Sequence, residues 1–342
     1  MKKLSDFDFK QKRVLVRCDF NVPLNKEGDI LDAFRIEQTI PTIKYLKEKN
    51  AKVILMSHLD PGGKIEMFNL DKVKEKLEEY FPVIKVNDCI GREVEDMVIN
   101  MNPGDVLLLE NLRFHKEEKE NDDEFAKSLA KLADVYVNDA FSVSHRKHAS
   151  LVGVPKHLPS FAGLLLEKEI ENLEKLVQNP EKPMISIIGG KKADTKVKLI
   201  DKISEVSDFI LIGGIMQKEI EDNNIQLKHS EKLVSPVDSL ENNLDIGPKT
   251  VGMFKEKIRD AKTVFWNGPL GKTEDEKYSQ GTKEIAKAII ESNAFSVIGG
   301  GETLEFVKKL NLDSGFNHIS TGGGALLTFL GEGTLPAIEP LE

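Results

Sequence analysis

The sequence has few cysteines and no long apolar run, and both deficits restrict what it can encode. Its two cysteines, Cys18 and Cys89, lie in or beside apolar stretches of a 342-residue chain. We therefore expect reduced core thiols rather than a disulfide framework. No run of eighteen apolar residues occurs, so we expect no transmembrane helix. The N-terminal segment lacks the apolar region of a signal peptide, so we expect a cytoplasmic protein.

Positive charge is also in short supply. The chain has 48 Lys and Arg against 57 Asp and Glu, a formal net charge of −9. This balance disfavours nucleic acid and anionic membranes as partners. A site for an anionic ligand must then be a local cluster of Arg, Lys, His or helix N-termini.

Two common nucleotide-binding motifs are missing. Residues 266–274 read W-N-G-P-L-G-K-T-E, and the G-K-T looks like the end of a P-loop. A P-loop requires a glycine five residues before Gly271, where this sequence has Trp266. No G-x-G-x-x-G follows a predicted strand, so a Rossmann dinucleotide site is not supported either. The glycines must serve another kind of site.

Short apolar runs alternate with longer, charged segments of helical period along the whole chain. This alternation predicts an α/β protein with parallel sheets covered on both faces. The polar stretch 178–183 marks a domain boundary. The predicted strands are 13–18, 52–57, 83–87, 105–109, 134–138, 184–188, 208–212, 262–266, 295–298 and 317–320. The helical patterns include 36–49, 69–80, 122–132, 167–177, 196–205, 279–291 and 302–310.

The residues that follow the predicted strands differ between the two halves. Ligands of open α/β sheets bind outside the carboxyl ends of the strands. In the first half these positions carry Arg and His, which suit a small, multiply charged anion. In the second half they carry glycines, which let backbone and helix N-termini approach the phosphates of a nucleotide. The pairing suggests phosphoryl transfer across a cleft between two domains.

Each of these signals has a simpler alternative. A single glycine pair after a strand is often only a tight turn, and a single arginine is often half of a surface ion pair. His145 and His148 have the spacing of a metal-binding pair, but no acidic or cysteine partner follows the pattern. The five glycine turns of the second half, all after strands, are harder to explain as turns alone.

Twelve short blocks, in order along nearly the whole chain, resemble phosphoglycerate kinase. They are RCDFNVP (17–23), DAFRI (32–36), PTIKYL (41–46), SHL (57–59), LLLENLRFH (107–115), NDAF with HRKHAS (138–150), IGGKKADTK (188–196), SPVD (235–238), DIGPKT (245–250), WNGP (266–269), GGGET (299–303) and STGGGA (320–325). Each block is weak alone, but their order is specific. The resemblance implies reversible phosphoryl transfer between ATP and the carboxylate of 3-phosphoglycerate, giving 1,3-bisphosphoglycerate and ADP, in glycolysis and gluconeogenesis.

The resemblance also implies the architecture. We expect two doubly wound parallel-sheet, Rossmann-like domains facing a cleft and joined by a helix hinge. Residues 1–166 would bind the triose phosphate, and the strand-like tail 330–342 would return to this domain. Residues 167–182 would form the interdomain helix and linker, and residues 183–329 would bind ATP or ADP. The family is usually monomeric and uses Mg²⁺.

The site residues carried over from the family fall into two groups. The triose-phosphate site would comprise Asp19, Asn21, Arg35, His58, Arg113 and Arg146. The nucleotide site would comprise Lys192, Lys196, Asn267, Glu274, Gly300, Gly301, Glu302, Thr303, Gly322 and Gly323. Arg35, Lys192 and Lys196 would be catalytic, with Lys196 the main stabiliser of the transferring group. Glu302 would stand near Mg²⁺, which is held mainly through the nucleotide.

Several positions depart from the family pattern. The family's S-H-x-G-R-P reads S-H-L-D-P-G at residues 57–62, so one arginine is lost. Losing one charge-assisted contact would cost about 1.5–3 kcal/mol of substrate binding. The family's N-D-A-F-G-T-A-H-R reads N-D-A-F-S-V-S-H-R, Thr195 replaces an acid, and Lys272 and Thr273 replace V-F.

The chain is also several dozen residues shorter than usual between Ile215 and Asp245, where the family builds part of its adenine pocket. These departures leave two alternatives to an active kinase. One is a paralogue that binds a phosphorylated ligand or a protein without catalysis. The other is a kinase for a different small carboxylic acid.

Overall fold

The computed structural model describes residues 1–60, 62, 68–191 and 193–342. These residues form two compact units, Met1–Glu169 with Thr334–Glu342, and Ile170–Gly333. Within them, no helix combines the length and the apolar character that a membrane crossing requires. The binding of one ligand by each unit stays a prediction.

The first unit is built on a six-stranded parallel sheet. Its strands are β1 (Arg13–Cys18), β2 (Lys52–Met56), β3 (Ile84–Lys85), β4 (Val106–Leu108), β5 (Val135–Asp139) and β6 (Ser160–Ala162). Their spatial order is β3-β4-β2-β1-β5-β6, and every neighbouring pair is parallel. Five of the six residues of β1 are buried, as expected for a parallel strand covered on both faces.

Helices cover this sheet. They are α1 (Phe34–Glu48), α2 (Asp71–Glu78), α3 (Arg92–Ile99), α4 (Lys116–Glu120), α5 (Asp123–Ala130) and α6 (Leu164–Gln178). Helix α5 shows how local sequence sets a helix start: the Asp122 side chain accepts a 2.8 Å hydrogen bond from the backbone N–H of Phe125. This bond satisfies one of the free donors of the first turn. Helix α6 contains the division between the two units.

The second unit repeats the architecture. Its strands are β7 (Met184–Ile188), β8 (Phe209–Ile212), β9 (Leu233–Val234), β10 (Ser239–Leu240), β11 (Asp245–Ile246), β12 (Thr263–Asn267), β13 (Phe295–Gly299) and β14 (His318–Ile319). Six of them form a parallel sheet in the order β14-β13-β12-β7-β8-β9, and β10 and β11 form an antiparallel pair. Its helices are α7 (Val197–Val206), α8 (Gly214–Asp222), α9 (Pro248–Arg259), α10 (Gln280–Glu291), α11 (Gly301–Lys309) and α12 (Gly323–Glu332).

The α/β class and the two parallel sheets are confirmed, and each of the ten predicted strands overlaps a strand of the structure. The short strands β6, β9, β10 and β11 were not predicted. The strand-like character expected of the C-terminal tail is wrong. Pro336 and Pro340 lack backbone donors, and the tail instead forms a 3-10 helix at Glu339–Leu341.

Candidate active site

Polar residues of the first unit gather where its parallel strands end. Strands β4, β2, β1 and β5 are neighbours in the sheet. The chain leaving them reaches Arg113, His58, Asp19 and Arg146 respectively. Arg35, in the first turn of α1, joins the same group. Sequence reasoning therefore selected residues that the fold brings together.

Asp19 organises the loop that carries the predicted acceptor site. Its carboxylate is 3.2 Å from the Arg35 guanidinium and accepts a 3.0 Å hydrogen bond from the N–H of Asn21. Arg35 also donates to the carbonyl of Asn21 at 2.9 Å. Ser142, which stands where the family motif has glycine, donates a hydrogen bond from its hydroxyl to the Asp19 carboxylate. Arg35 is thus oriented before any ligand binds, and its side chain is still one-third exposed.

His58 lies beneath the arginines as a neutral ring. Burial lowers its pKa well below the usual range, and the charges of Arg17, Arg113, Arg146 and Arg35 lower it further. The Arg17 guanidinium is 3.2 Å from Nδ1 of His58. Because arginine can only donate, Nδ1 is the acceptor and the ring proton lies on Nε2. A neutral His58 can therefore offer an N–H to an anion.

Sequence reasoning missed a buried network that holds this cluster. Arg17, fully buried in β1, donates to the Ser150 hydroxyl at 2.8 Å. Ser150 in turn donates to the buried carboxylate of Glu118 at 2.7 Å, and its N–H donates to the other oxygen at 2.9 Å. His148 lies near the same carboxylate, at 3.9 Å, and burial with the nearby Arg113 lowers its pKa to about 4. The only sequence signal was a charged residue inside an apolar strand.

Arg113 is the predicted anion-binding residue with a buried donor that has no partner among the described residues. The residue is buried, and this donor is its Nε atom. Burial lowers its pKa, and the neighbouring Arg146 lowers it further. A buried donor without a partner is costly, so a bound anion would satisfy it.

An ion pair lies next to position 61, where the family motif has an arginine that this chain lacks. Asp60 donates its backbone N–H to the Asn21 side chain at 2.8 Å. Its carboxylate is 3.8 Å from the ammonium of Lys119. Lys119 therefore brings one positive charge close to the altered loop. Pro61, where the family has arginine, lies outside the described residues.

In the second unit, the strand ends open onto a pocket of about 520 Å³. Its walls include most of the residues predicted for the nucleotide: Lys196, Asn267, Glu274, Gly300, Gly301, Glu302, Thr303 and Gly323. Gly322 directly precedes α12 but does not line the pocket. Lys192 lies outside the described residues.

Glycine is required at the floor of this pocket. Gly268 has φ +91°, and a Cβ there would lie 2.4 Å from the backbone oxygen of Gly189. Gly300, with φ +102°, directly precedes the first turn of α11. The Thr303 hydroxyl accepts a 3.0 Å hydrogen bond from the N–H of Gly268, which joins the two loops. Gly268, within the stretch 266–274, thus serves close backbone packing and is not part of a P-loop.

Lys196 is the central charge of the pocket. Its side chain is only 9% exposed, and its ammonium donates a 2.5 Å hydrogen bond to the carbonyl of Gly189. Burial lowers its pKa from 10.5 to about 8, although Glu302 and Glu219 act in the opposite direction. Lys196 is therefore mostly protonated at pH 7, in a position where its charge is weakly solvated. An incoming phosphate would restore the lost solvation.

The shortened segment still contributes to the pocket wall. The apolar lining residues are Ile215, Met216, Leu244, Leu270 and Leu327. Leu244 comes from the shortened segment, and its carbonyl accepts a 2.8 Å hydrogen bond from the N–H of Lys272. Glu241, three residues earlier, accepts hydrogen bonds from Lys277, at 2.5 Å, and from the Tyr278 hydroxyl. These bonds hold the segment against the loop that follows β12.

The two units together define a class of protein. One gathers arginines near its strand ends and the other has a glycine-floored, lysine-containing pocket of about 520 Å³, a combination suited to an α/β phosphotransferase. The sequence profile described as phosphoglycerate kinase matches residues 4–224 and 217–333. The chain belongs to the phosphoglycerate kinase family.

Individual relatives agree over almost their full length. The phosphoglycerate kinase of Dictyoglomus turgidum is 44% identical over 387 aligned positions, covering 99% of this chain and 98% of the relative. The phosphoglycerate kinase of Aquifex aeolicus is 41% identical, and the alignment covers 100% of this chain and 98% of the relative. The solved phosphoglycerate kinase of Pyrococcus horikoshii OT3 matches with a TM-score of 0.87 at 32% identity, covering 100% of this chain and 98% of that one. The solved phosphoglycerate kinase of Coxiella burnetii matches with a TM-score of 0.83 at 32% identity, and the match covers 99% of this chain and 97% of that one.

The alignments also locate the shortening. The alignment with the Dictyoglomus protein has 387 positions, whereas this chain has 342 residues, so this chain carries gaps. The profile match consists of two parts that overlap at residues 217–224, which begin inside α8 and extend two residues past its end. This overlap lies inside the interval 215–245 that the sequence predicted to be shortened.

Proposed function

We propose that this protein transfers the γ-phosphoryl group of ATP to the carboxylate of 3-phosphoglycerate, and catalyses the reverse reaction. A carboxylate oxygen of the acceptor forms a bond to the γ-phosphorus, and the bond from that phosphorus to the β–γ bridging oxygen breaks. The products are 1,3-bisphosphoglycerate and ADP. The acceptor is already ionised near pH 7, so no proton has to move and no general base is needed.

The observation that carries the proposal is the division of the site residues between two strand-end clusters. Arg35, Arg113, Arg146 and His58 supply donors for a substrate with a phosphate and a carboxylate. In this proposal Arg35 reaches the transferring group, and Arg113 and Arg146 hold the substrate's phosphate. Catalysis then depends on positioning and charge stabilisation.

The nucleotide would occupy the pocket of the second unit. The N-terminus of α11 and the backbone of Gly300 and Gly301 would face the phosphates, and Lys196 would stabilise the transferring group. The apolar wall that includes Leu244 would hold the base, and Glu274 the ribose. The role of Lys192 as a catalytic residue at the nucleotide phosphates is proposed from the family motif alone.

Mg²⁺ fits the same pocket. The carboxylate of Glu302 is an exposed oxygen ligand at the start of α11, and Mg²⁺ prefers carboxylate, phosphate and water oxygens. Glu302 would meet the ion mainly through the nucleotide, and the ion would neutralise phosphate charge. We further propose a cytoplasmic monomer, and the two free, buried cysteines suit a reducing compartment.

The alternatives to this activity are not favoured. A binding paralogue would not need to retain both Lys196 and the arginine cluster. A kinase for another acid would differ on the acceptor side, where Asp60 pairs with Lys119. An acceptor screen with other small carboxylic acids addresses it.

The test is steady-state turnover with ATP, 3-phosphoglycerate and Mg²⁺, coupled to reduction of the acyl phosphate formed. We expect robust turnover that is lost in Lys196→Ala and kept in Lys287→Ala, a surface lysine of α10 paired with Glu284. No turnover by the folded parent protein would refute the proposal. Turnover that survives in Lys196→Ala would refute the role of that lysine.

A further inference from the structure

Three potential metal ligands meet at the end of β3, outside both clusters described above. The nearest ligand atoms of Asp88, Cys89 and His115 all lie within 4.8 Å of one another. Nε2 of His115 is 2.7 Å from a carboxylate oxygen of Asp88. Among the described residues this is the one group of three such side chains close enough to share an ion. The pair His145 and His148, considered from the sequence, is not part of it.

Local structure holds each of the three side chains in place. The carboxylate of Asp88 accepts a 2.6 Å hydrogen bond from the N–H of Cys89. The Cys89 thiol donates to the carbonyl of Glu110 at 3.0 Å. The His115 ring packs on Phe125 with 5.0 Å between ring centroids. The group is thus preorganised by β3, by the chain after β4 and by α5.

The ligand set selects the class of ion. A thiolate, an imidazole and a carboxylate match the ligands of zinc, whereas Mg²⁺ and Ca²⁺ prefer oxygen alone. One thiolate and one carboxylate would also neutralise a divalent ion, which suits a group whose cysteine is fully buried. We propose that Asp88, Cys89 and His115 form a Zn²⁺ site with a water as the fourth ligand.

The three ligand atoms, which lie within 4.8 Å of one another, would have to move by about 1 Å to share a zinc ion. Nitrogen, oxygen and sulfur ligands on a tetrahedral zinc lie about 3.3–3.6 Å apart. The Asp88–His115 contact would lengthen by less than about 1 Å from its hydrogen-bonded distance. The Cys89 sulfur would exchange its proton for the ion and give up its bond to Glu110. Entry is open from the side of Asp88, whose side chain is 57% exposed.

The site lies beside the proposed acceptor cluster. His115 ends the short 3-10 helix Leu112–Phe114, which carries Arg113. An ion that fixes His115 would restrict this turn. Zinc occupancy is therefore expected to change the affinity for 3-phosphoglycerate, a consequence that rests on the proposed function, whereas the metal site itself does not.

Metal binding is tested directly with Co²⁺ as a spectroscopic stand-in for zinc, on the full, tag-free chain. We expect one Co²⁺ per chain, with a thiolate-to-cobalt charge-transfer band that Zn²⁺ abolishes and millimolar Mg²⁺ does not. Binding should release the thiol proton, so the affinity should rise with pH. His115→Gln should weaken binding by at least about 100-fold. Cys89→Ser should remove the charge-transfer band.

Two variants provide matched controls. His157 pairs with Asp123 at 3.3 Å in the same unit but has no neighbouring thiol, so His157→Gln should bind Co²⁺ as the parent does. Cys18→Ser removes the other buried thiol and should keep the band. Absence of the band in the parent protein, its survival in Cys89→Ser, or an unchanged Co²⁺ affinity in His115→Gln would overturn the proposal. None of these readouts depends on kinase activity.

Discussion

The buried ammonium of Lys196 should make this protein less stable than a variant that lacks it. Burial lowers the pKa of Lys196 from 10.5 to about 8, and the side chain is 9% exposed. At about 1.4 kcal/mol per pKa unit, this corresponds to about 3 kcal/mol of destabilisation at pH 7. Replacement by Met keeps the aliphatic stem and removes the charge. The lost hydrogen bond to the Gly189 carbonyl offsets about 1 kcal/mol. We expect Lys196→Met to gain about 2 kcal/mol and to lose phosphoryl transfer.

The pH dependence of this gain provides the decisive check. Below pH 8 the lysine is protonated in both folded and unfolded states, so the destabilisation is constant. Between pH 8 and 10.5 the unfolded state binds more protons, so the stability of the parent protein rises with pH relative to the variant. The difference should therefore shrink by about 2 kcal/mol between pH 7 and 9.5.

The measurement is urea unfolding followed by tryptophan fluorescence. Trp266 is the single tryptophan and is fully buried in the second unit, the unit that contains Lys196. Lys191→Met, an exposed neighbour, should change the unfolding free energy by less than about 0.5 kcal/mol. A Lys196→Met variant no more stable than the parent at pH 7, or a stability difference that does not vary with pH, would refute the reasoning.

Two further predictions concern the other parts of the candidate site. Arg113→Ala should weaken 3-phosphoglycerate binding by about 10–100-fold, because one buried charge-assisted donor is lost. Calorimetry should show that the affinity for ATP is unchanged. The control variant Arg92→Ala, at a side chain that is 95% exposed, should change neither affinity. Equal losses in both variants would contradict the role of Arg113. Gly268→Ala should lower the free energy of unfolding by at least about 1–2 kcal/mol from its backbone conformation alone, and by more from the 2.4 Å contact. Gly252→Ala, in open space within α9, should raise the free energy of unfolding by about 0.5–1 kcal/mol in the same urea assay. A tolerated Gly268→Ala would contradict the close packing of the pocket floor.

Sequence reasoning succeeded where position along a strand determines position in space. His58, Arg113 and Gly300 each follow a strand closely, and the carboxyl ends of parallel strands share one edge of a sheet. The pattern of apolar runs was therefore enough to group them. The lost arginine and the shortened segment were also visible, because the family motifs give a reference for each position.

The residues that were missed depend on contacts between distant parts of the chain. Arg17 lies inside β1, and its partner Ser150 is 133 residues away. Nothing in the local pattern distinguishes the buried carboxylate of Glu118 from those of Glu117 and Glu120 in the same helix α4. In the sequence, Leu244 is one apolar residue in a polar loop. Its place in the pocket wall is evident only from the structure, in which its carbonyl accepts a hydrogen bond from the N–H of Lys272. Such roles require the tertiary structure.

The two clusters share an electrostatic principle that explains how one chain can select anionic ligands despite its negative net charge. In the first unit, burial and neighbouring arginines hold His58 neutral and lower the pKa of Arg113. In the second, burial alone accounts for the lowered pKa of Lys196. In both places positive charge is destabilised in the folded protein without ligand. In the proposed function, a bound anion relieves this destabilisation, so part of the stability that each unit loses is recovered as affinity for the ligand proposed for it.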